Sequence, residues 1–353
     1  MDLRQGLFIE FIVFNACNMR NNRRDFIAKS VLLGTGLATM GGGASTVVAS
    51  VKKANDFQRI KDNTLGKFYK NIAFTIPDNT APSGLLLHKA IEIFRRVFKE
   101  KTGLGVSDNK IDALEIELIV NPKSLSSESF KIEYPGGNRV SIYASDENGI
   151  LYGIGKLLHS STLNANGFRP GGWEGVSTPK KVFRAMYFAT HFYNYFHTAP
   201  LEDVKRYVED LSLWGYNTLA MWFDMHHYNG IKDGEAQQML DRLSDLYKVA
   251  RSVGMKCYCV VLANEGYTSS PQNLRATKTG RSFYGVEICP SIEEGAELIV
   301  RQVKEEFSEY KKRGVVFDGI TFGPYDQGGC GCDKCRPWGA NGFVNISERI
   351  TNA

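Results

Sequence analysis

The chain has 353 residues, room for about two domains at roughly 100 to 200 residues each. Hydrophobic residues at 43% and charged residues at 23% exclude both intrinsic disorder and a many-span membrane protein. The net charge is +5, and five basic against three acidic side chains fall within residues 1–50, which leaves +3 for the rest and no electrostatic case for a nucleic-acid partner.

The first segment reads as an address. Asn22-Arg23-Arg24-Asp25-Phe26-Ile27-Ala28-Lys29 precedes an uncharged stretch, Ser30 to Ser50, with glycines at 34, 36, 41, 42 and 43. The arginine pair followed by a weakly apolar run resembles a twin-arginine signal, which is read by a receptor and is not an anchor. The resemblance implies that residues 1–50 form the signal region, with Met19 a natural start. The twin-arginine translocation machinery is then a partner, the location is periplasmic or extracellular, and there is no stable membrane anchor. A retained transmembrane helix needs about 20 strongly apolar residues, which this stretch lacks. Signal removal takes Cys17 away and leaves Cys257, Cys259, Cys289, Cys330, Cys332 and Cys335.

Residues 54–177 read as a small α+β domain. Ile72 to Ile76 is a strand, and Leu87, Ile91, Phe94 and Phe98 share a helical face that stops at Gly103. Ala113 to Val120 alternates as a strand, and Phe130 to Tyr134 pairs with Arg139 to Ala144 across Pro135-Gly136-Gly137-Asn138. A short helix, Gly149 to His159, closes the unit, and Gly167, Pro170, Gly171 and Gly172 mark a linker.

In residues 182–353 the rhythm changes to strand then helix. Strands are expected at Arg184 to Phe188, Asn217 to Phe223, Cys257 to Leu262 and Val315 to Phe322. Helices between them end at Gly215, Gly254 and Gly314, the last opening on a capping box, Ser291-Ile292-Glu293-Glu294. This alternation implies parallel βα units. A complete (β/α)8 barrel takes about 250 residues, and about 170 follow the linker. The expected fold class is therefore α/β: a small α+β domain, then a truncated TIM barrel of about four βα units. The alternative is an open four-stranded sheet with two unpaired edges.

Phe130 to His159, with Gly149, Tyr152 and Gly153 in its helix, resembles the end of the non-catalytic domain before the barrel in family 20 β-N-acetylhexosaminidases and related α-glucuronidases. The run from Phe183 through Phe192, then Leu201 to Trp222, is similar to the first two βα units of that clan. The resemblance implies a glycoside hydrolase, or the N-terminal half of one, acting on amino-sugar- or uronic-acid-containing glycans. It also implies that Arg184 holds sugar hydroxyls, through a guanidinium fork that fits vicinal oxygens. The competing reading is that Arg184 caps the bottom of its strand. One departure matters: Gly323-Pro324-Tyr325-Asp326-Gln327 keeps an Asp but puts Gln327 where that family has its general acid, and a carboxamide cannot protonate a leaving group. A catalytically inactive carbohydrate-binding scaffold is thus the alternative, and a metal-binding module a weaker one.

In a barrel the site lies at the C-terminal strand ends. Those ends carry His191, then Asp224, His226 and His227, then Asn264 and Glu265, then Tyr325 and Asp326. Glycoside hydrolysis requires no cofactor, only a carboxylic acid and a second carboxylate or the substrate's own amide. Asp326, Glu265 and Asp224 are the carboxylates available. Trp222, Tyr325 and Trp338 can floor a sugar or simply pack. The connection from Ala263 to Pro290 exceeds an ordinary βα loop, and its Arg275, Lys278 and Arg281 suit either an acidic sugar or a solvated surface.

Cys330-Gly331-Cys332-Asp333-Lys334-Cys335 leaves two readings open. In one, Cys332 and Cys335 at Cys-x2-Cys spacing join Cys330 and a fourth ligand, Cys289, around a structural zinc ion. In the other, a disulfide links Cys330 to Cys335.

Overall fold

A computed structural model describes residues 64–77, 84–106, 111–278, 285–324 and 329–353. The arginine pair of the signal, with Tyr325, Asp326, Gln327 and Arg281, lies outside the described residues. Residues 61–353 form one compact unit. No described helix is long and apolar enough to cross a membrane.

The first half of this unit is a five-stranded sheet covered by two helices. In chain order it contains β1 (Ile72–Thr75), α1 (Leu85–Thr102), β2 (Leu114–Val120), β3 (Phe130–Gly136), β4 (Arg139–Ala144) and α2 (Glu147–Ser160). A small hairpin, β5 (Thr162–Asn164) and β6 (Gly167–Arg169), and the edge strand β7 (Gly175–Ser177) follow. The sheet order is β1-β2-β4-β3-β7. Helix α1 buries Leu87, Ile91, Phe94 and Phe98, the face expected from their spacing, and stops at Gly103 in the left-handed conformation. Helix α2 starts where Asp146 accepts a hydrogen bond from the Gly149 amide at 2.9 Å. The stretch expected to be a linker is structured instead. Gly167 to Arg169 pairs with β5, and Gly175 to Ser177 adds a strand beside β3. Its glycines serve close approach rather than flexibility, since a Cβ on Gly171 would sit 1.6 Å from the Ser160 carbonyl oxygen.

The second half contains β8 (Ala185–Ala189), α3 (Leu201–Leu213), β9 (Thr218–Trp222), α4 (Gly234–Ser252), β10 (Lys256–Leu262), the two-residue pair β11 (Glu265–Gly266) and β12 (Val286–Glu287), α5 (Glu293–Lys312), β13 (Gly319–Gly323) and α6 (Val344–Thr351). Strands β8, β9, β10 and β13 lie side by side in chain order and all parallel. The fold is α/β, an α+β layer followed by four parallel strands in the order a TIM barrel uses. Central strand β9 is buried along its whole length, as a strand covered on both faces must be, whereas Tyr187 of β8 and Ile320 of β13 are 41% and 39% exposed.

Two local expectations are corrected. The fourth strand begins at Gly319, not Val315, because the Asp318 carboxylate takes the Cys257 amide at 2.8 Å and pairs with Arg251, replacing a ladder bond by a side-chain one. Helix α5 has no side-chain cap: the Ser291 hydroxyl turns away to Cys289 Sγ and Cys332 Sγ, at 3.1 and 3.2 Å.

Candidate functional site at the strand ends

Strands β8, β9 and β10 place His191, Asp224 and Glu265 just beyond their C-terminal ends. The centre of this group is buried: Asp224 is 1% exposed, His226 6% and Glu265 5%. Glu265 accepts the Trp222 indole N–H at 2.8 Å through Oε2 and the Met225 amide through Oε1. Asp224 opens a short 3-10 turn, Met225–His227, accepting the His226 amide at 3.1 Å, and its other oxygen lies 3.3 Å from His227 Nε2. His226 and His227 sit on this turn, which sends His226 inward and leaves His227 half-buried.

Burial, reinforced by the neighbouring Asp224 charge, pushes the Glu265 carboxyl well above the ordinary range. Burial also lowers His191 and His226 to about 4, so both rings are neutral near pH 7. In His226 the Nδ1 atom accepts the Val286 amide at 3.0 Å, which assigns the proton to Nε2, 4.0 Å from Glu265 Oε1. Ligand atoms of Asp224, His226 and Glu265 lie within 4.8 Å of one another. A cation there would need the Nε2 lone pair, but the ring's lone pair is on Nδ1 and already engaged. The two carboxyls are held by the Trp222 indole and the Met225 and His226 amides.

Above it lies a rim of rings. His191 stands edge-on to Trp222 with centroids 5.0 Å apart, Tyr193 stacks on His197 at 5.1 Å, and His197 meets His227 at 5.6 Å. Phe192 and Tyr193 are 55% and 74% exposed and both have positive φ, near 52°. They present exposed aromatic faces on a strained loop at this end of the sheet. Tyr193 and His197 escaped sequence reasoning because a loop has no periodicity to flag them. Glu287 escaped it too. It sits between Val286 and Ile288, 3% exposed, and neither of its carboxylate oxygens has a partner among the described residues. Burial raises it to about 8.

Three residues for which the sequence leaves a sugar contact and a packing role both open sit in packing positions. Arg184 lies at the N-terminal end of β8, opposite the site, and its guanidinium holds the Glu128 carboxylate at 2.9 Å and the Gly215 and Lys181 carbonyls at 2.6 and 2.7 Å. Its fork is used up joining the α+β layer to the barrel sheet. Trp222 is 4% exposed, so it lies beneath the surface and orients Glu265 instead of stacking on a sugar. Trp338 packs against Gly329, Gly342 and the cysteine cluster. Arg275 is also occupied, donating to the Thr268 and Ser270 carbonyls.

The structure brings Cys289, Cys330, Cys332 and Cys335 together, with all four sulfurs within 4.8 Å of one another. Every described cysteine is unbridged in this structure. A separate concave surface against α5, lined by Ile231, Tyr267, Arg301, Glu305 and Glu309, contains none of the expected residues.

No family model matches the chain, and no curated protein does. Solved structures do. The family 20 β-N-acetylhexosaminidase from Streptomyces coelicolor A3(2) is 15% identical, with TM-score 0.56 over 80% of this chain and 60% of that one. The Flavobacterium johnsoniae chitobiase is 15% identical, with TM-score 0.52 over 81% and 45%. An inactive mutant of the Vibrio harveyi family 20 exo-β-N-acetylglucosaminidase is 15% identical, with TM-score 0.52 over 69% and 42%. The chain thus spans 42 to 60% of the length of these proteins. What the likeness shows is the fold: this is an α/β chain built like a family 20 β-hexosaminidase.

Proposed function

We propose that this chain is the α+β and barrel-forming part of an exported glycoside hydrolase that acts on amino-sugar- or uronic-acid-containing glycans. The observation that carries the reading is the meeting of a buried carboxyl pair, Asp224 and Glu265, with an exposed aromatic and imidazole rim at the C-terminal ends of parallel strands, on a hexosaminidase-like fold. In the proposed roles Asp326 is a catalytic carboxylate, Glu265 and Asp224 fix the floor of the site electrostatically, and Tyr325 with the rim residues binds the sugar. Glu287, buried and protonated near neutral pH, has the chemistry of a proton donor. No cofactor takes part in the reaction.

A second reading, a sugar-binding scaffold without catalysis, is favoured by Gln327 beside Asp326, where the resembling family has a carboxylic acid. Sugar binding and turnover of aryl N-acetylglucosaminides and aryl glucuronides, measured on the native gene product and on the 353-residue chain, separate the two. Hydrolysis by the native product that Asp326→Asn lowers at least a hundredfold supports the hydrolase. Binding without turnover assigns the scaffold, and neither binding nor turnover overturns both.

A further inference from the structure

We propose that Cys289, Cys330, Cys332 and Cys335 bind one zinc ion as four thiolates, and that this ion clamps two neighbouring strand-end loops together. Cys289 stands between β12 and α5, and the other three follow β13. From Cys289 Sγ the other sulfurs lie at 3.5 Å (Cys330), 3.9 Å (Cys332) and 4.0 Å (Cys335). A tetrahedron of thiolates about 2.3 Å from zinc has edges of about 3.8 Å. The three sulfurs are nearly equidistant from Cys289 Sγ, and four sulfurs within 4.8 Å of one another leave no space for a multi-iron cluster between them. Four soft thiolates in a tetrahedron select zinc over harder divalent ions.

The surroundings are those of a ligated thiolate set. The Thr277 amide donates to Cys330 Sγ at 3.4 Å. The Ser291 hydroxyl lies within hydrogen-bond reach of both Cys289 and Cys332, forgoing the helix cap that its sequence position offers. Such donors fix thiolate orientation from outside the ligand shell. Three of the four cysteines are at most 3% exposed, and they form a small cluster of their own with Ala276, Ile292 and Trp338, apart from the main core. A cluster this small has little apolar area with which to hold two loops, and a metal supplies what the area does not. Lys334 and Arg336, both exposed, flank the site and offset its net negative charge.

Zinc content is measured on the protein purified reduced and without chelators, with zinc retention against a competing chromogenic chelator and thiol reactivity before and after metal removal. The expected result is one zinc per chain, four thiols that react only after its removal, and a loss of at least tenfold in retained zinc for Cys289→Ser and for Cys332→Ser, with Cys257→Ala unchanged. Cobalt substitution keeps the test valid if a variant folds poorly. The wild-type cobalt form is expected to show thiolate charge-transfer and strong tetrahedral visible bands. Absence of metal with a mapped Cys330–Cys335 bridge, stoichiometric iron instead of zinc, or full zinc retention in Cys289→Ser overturns the proposal.

Discussion

The Trp222 indole N–H donates to Glu265 Oε2 at 2.8 Å, tying the last residue of β9 to the turn that follows β10. This bond decides what Trp222 does. An indole held under a buried carboxyl is a positioning group for that carboxyl, not a sugar platform. Trp222→Phe keeps most of the packing but leaves a buried carboxylate oxygen short of a donor, at a cost of about 1–3 kcal/mol. Urea unfolding checks this, and a variant as stable as the wild type would refute the orienting role.

Arg184 makes an opposite kind of prediction to the one its sequence position invites. Removing it breaks the bond to Glu128 in the α+β layer and those to the Gly215 and Lys181 carbonyls, so Arg184→Ala is expected to lower stability by about 1–3 kcal/mol. Sugar affinity of the folded fraction should not change. A selective loss of sugar affinity with unchanged stability would restore the binding role.

Helix α2 meets α3 through a glycine. A Cβ on Gly155 would lie 2.0 Å from the Leu213 carbonyl oxygen, and backbone cannot yield as a side-chain tip does. Gly155→Ala is therefore expected to cost about 1–3 kcal/mol as the helices separate. Thermal melts of the variant beside a surface Gly→Ala control, such as Gly234→Ala, test this, because Gly234 has open space around it.

Stability should fall as pH rises. Burial raises Glu306 and Glu287 to about 8 from an ordinary 4.5, so over that interval the folded chain holds protons that the unfolded chain releases. Their contribution is complete below pH about 4.5 and lost as pH passes through about 8. Between about pH 4 and 6.5 the buried neutral His191 and His226 oppose this trend, so melting temperature is expected to drop from about pH 6.5 to 8.5, and Glu306→Gln should flatten the drop. An unchanged slope in Glu306→Gln would show that this carboxyl does not govern it.

Export is tested at the arginine pair. If residues 1–50 are a twin-arginine signal, replacing Arg23 and Arg24 together by Lys should leave precursor in the cytoplasm, seen by fractionation and size. Undiminished export would remove the proposal.

The helix faces were legible because period 3.6 shows in any chain that buries one side: Leu87, Ile91, Phe94 and Phe98 line one face of α1, and Val204, Val208 and Leu211 one face of α3. The parallel strands were legible from their alternation with helices. The supposed linker was misread because glycine signals both a turn and a close approach, and only the neighbouring backbone tells which.

At the site, the amino-acid order alone determined which chemistry stood at the strand ends, His191, Asp224 and Glu265, and that three cysteines fell within six residues. It could not determine direction or burial. Arg184 and His191 lie seven residues apart on the same strand and its exit, yet one end of that strand faces the α+β layer and the other the site. Likewise Trp222 became a buried donor and Cys289 reached a cluster 41 residues distant along the chain. These are consequences of which strands lie side by side and in what register, a property of contacts between segments that no local pattern carries.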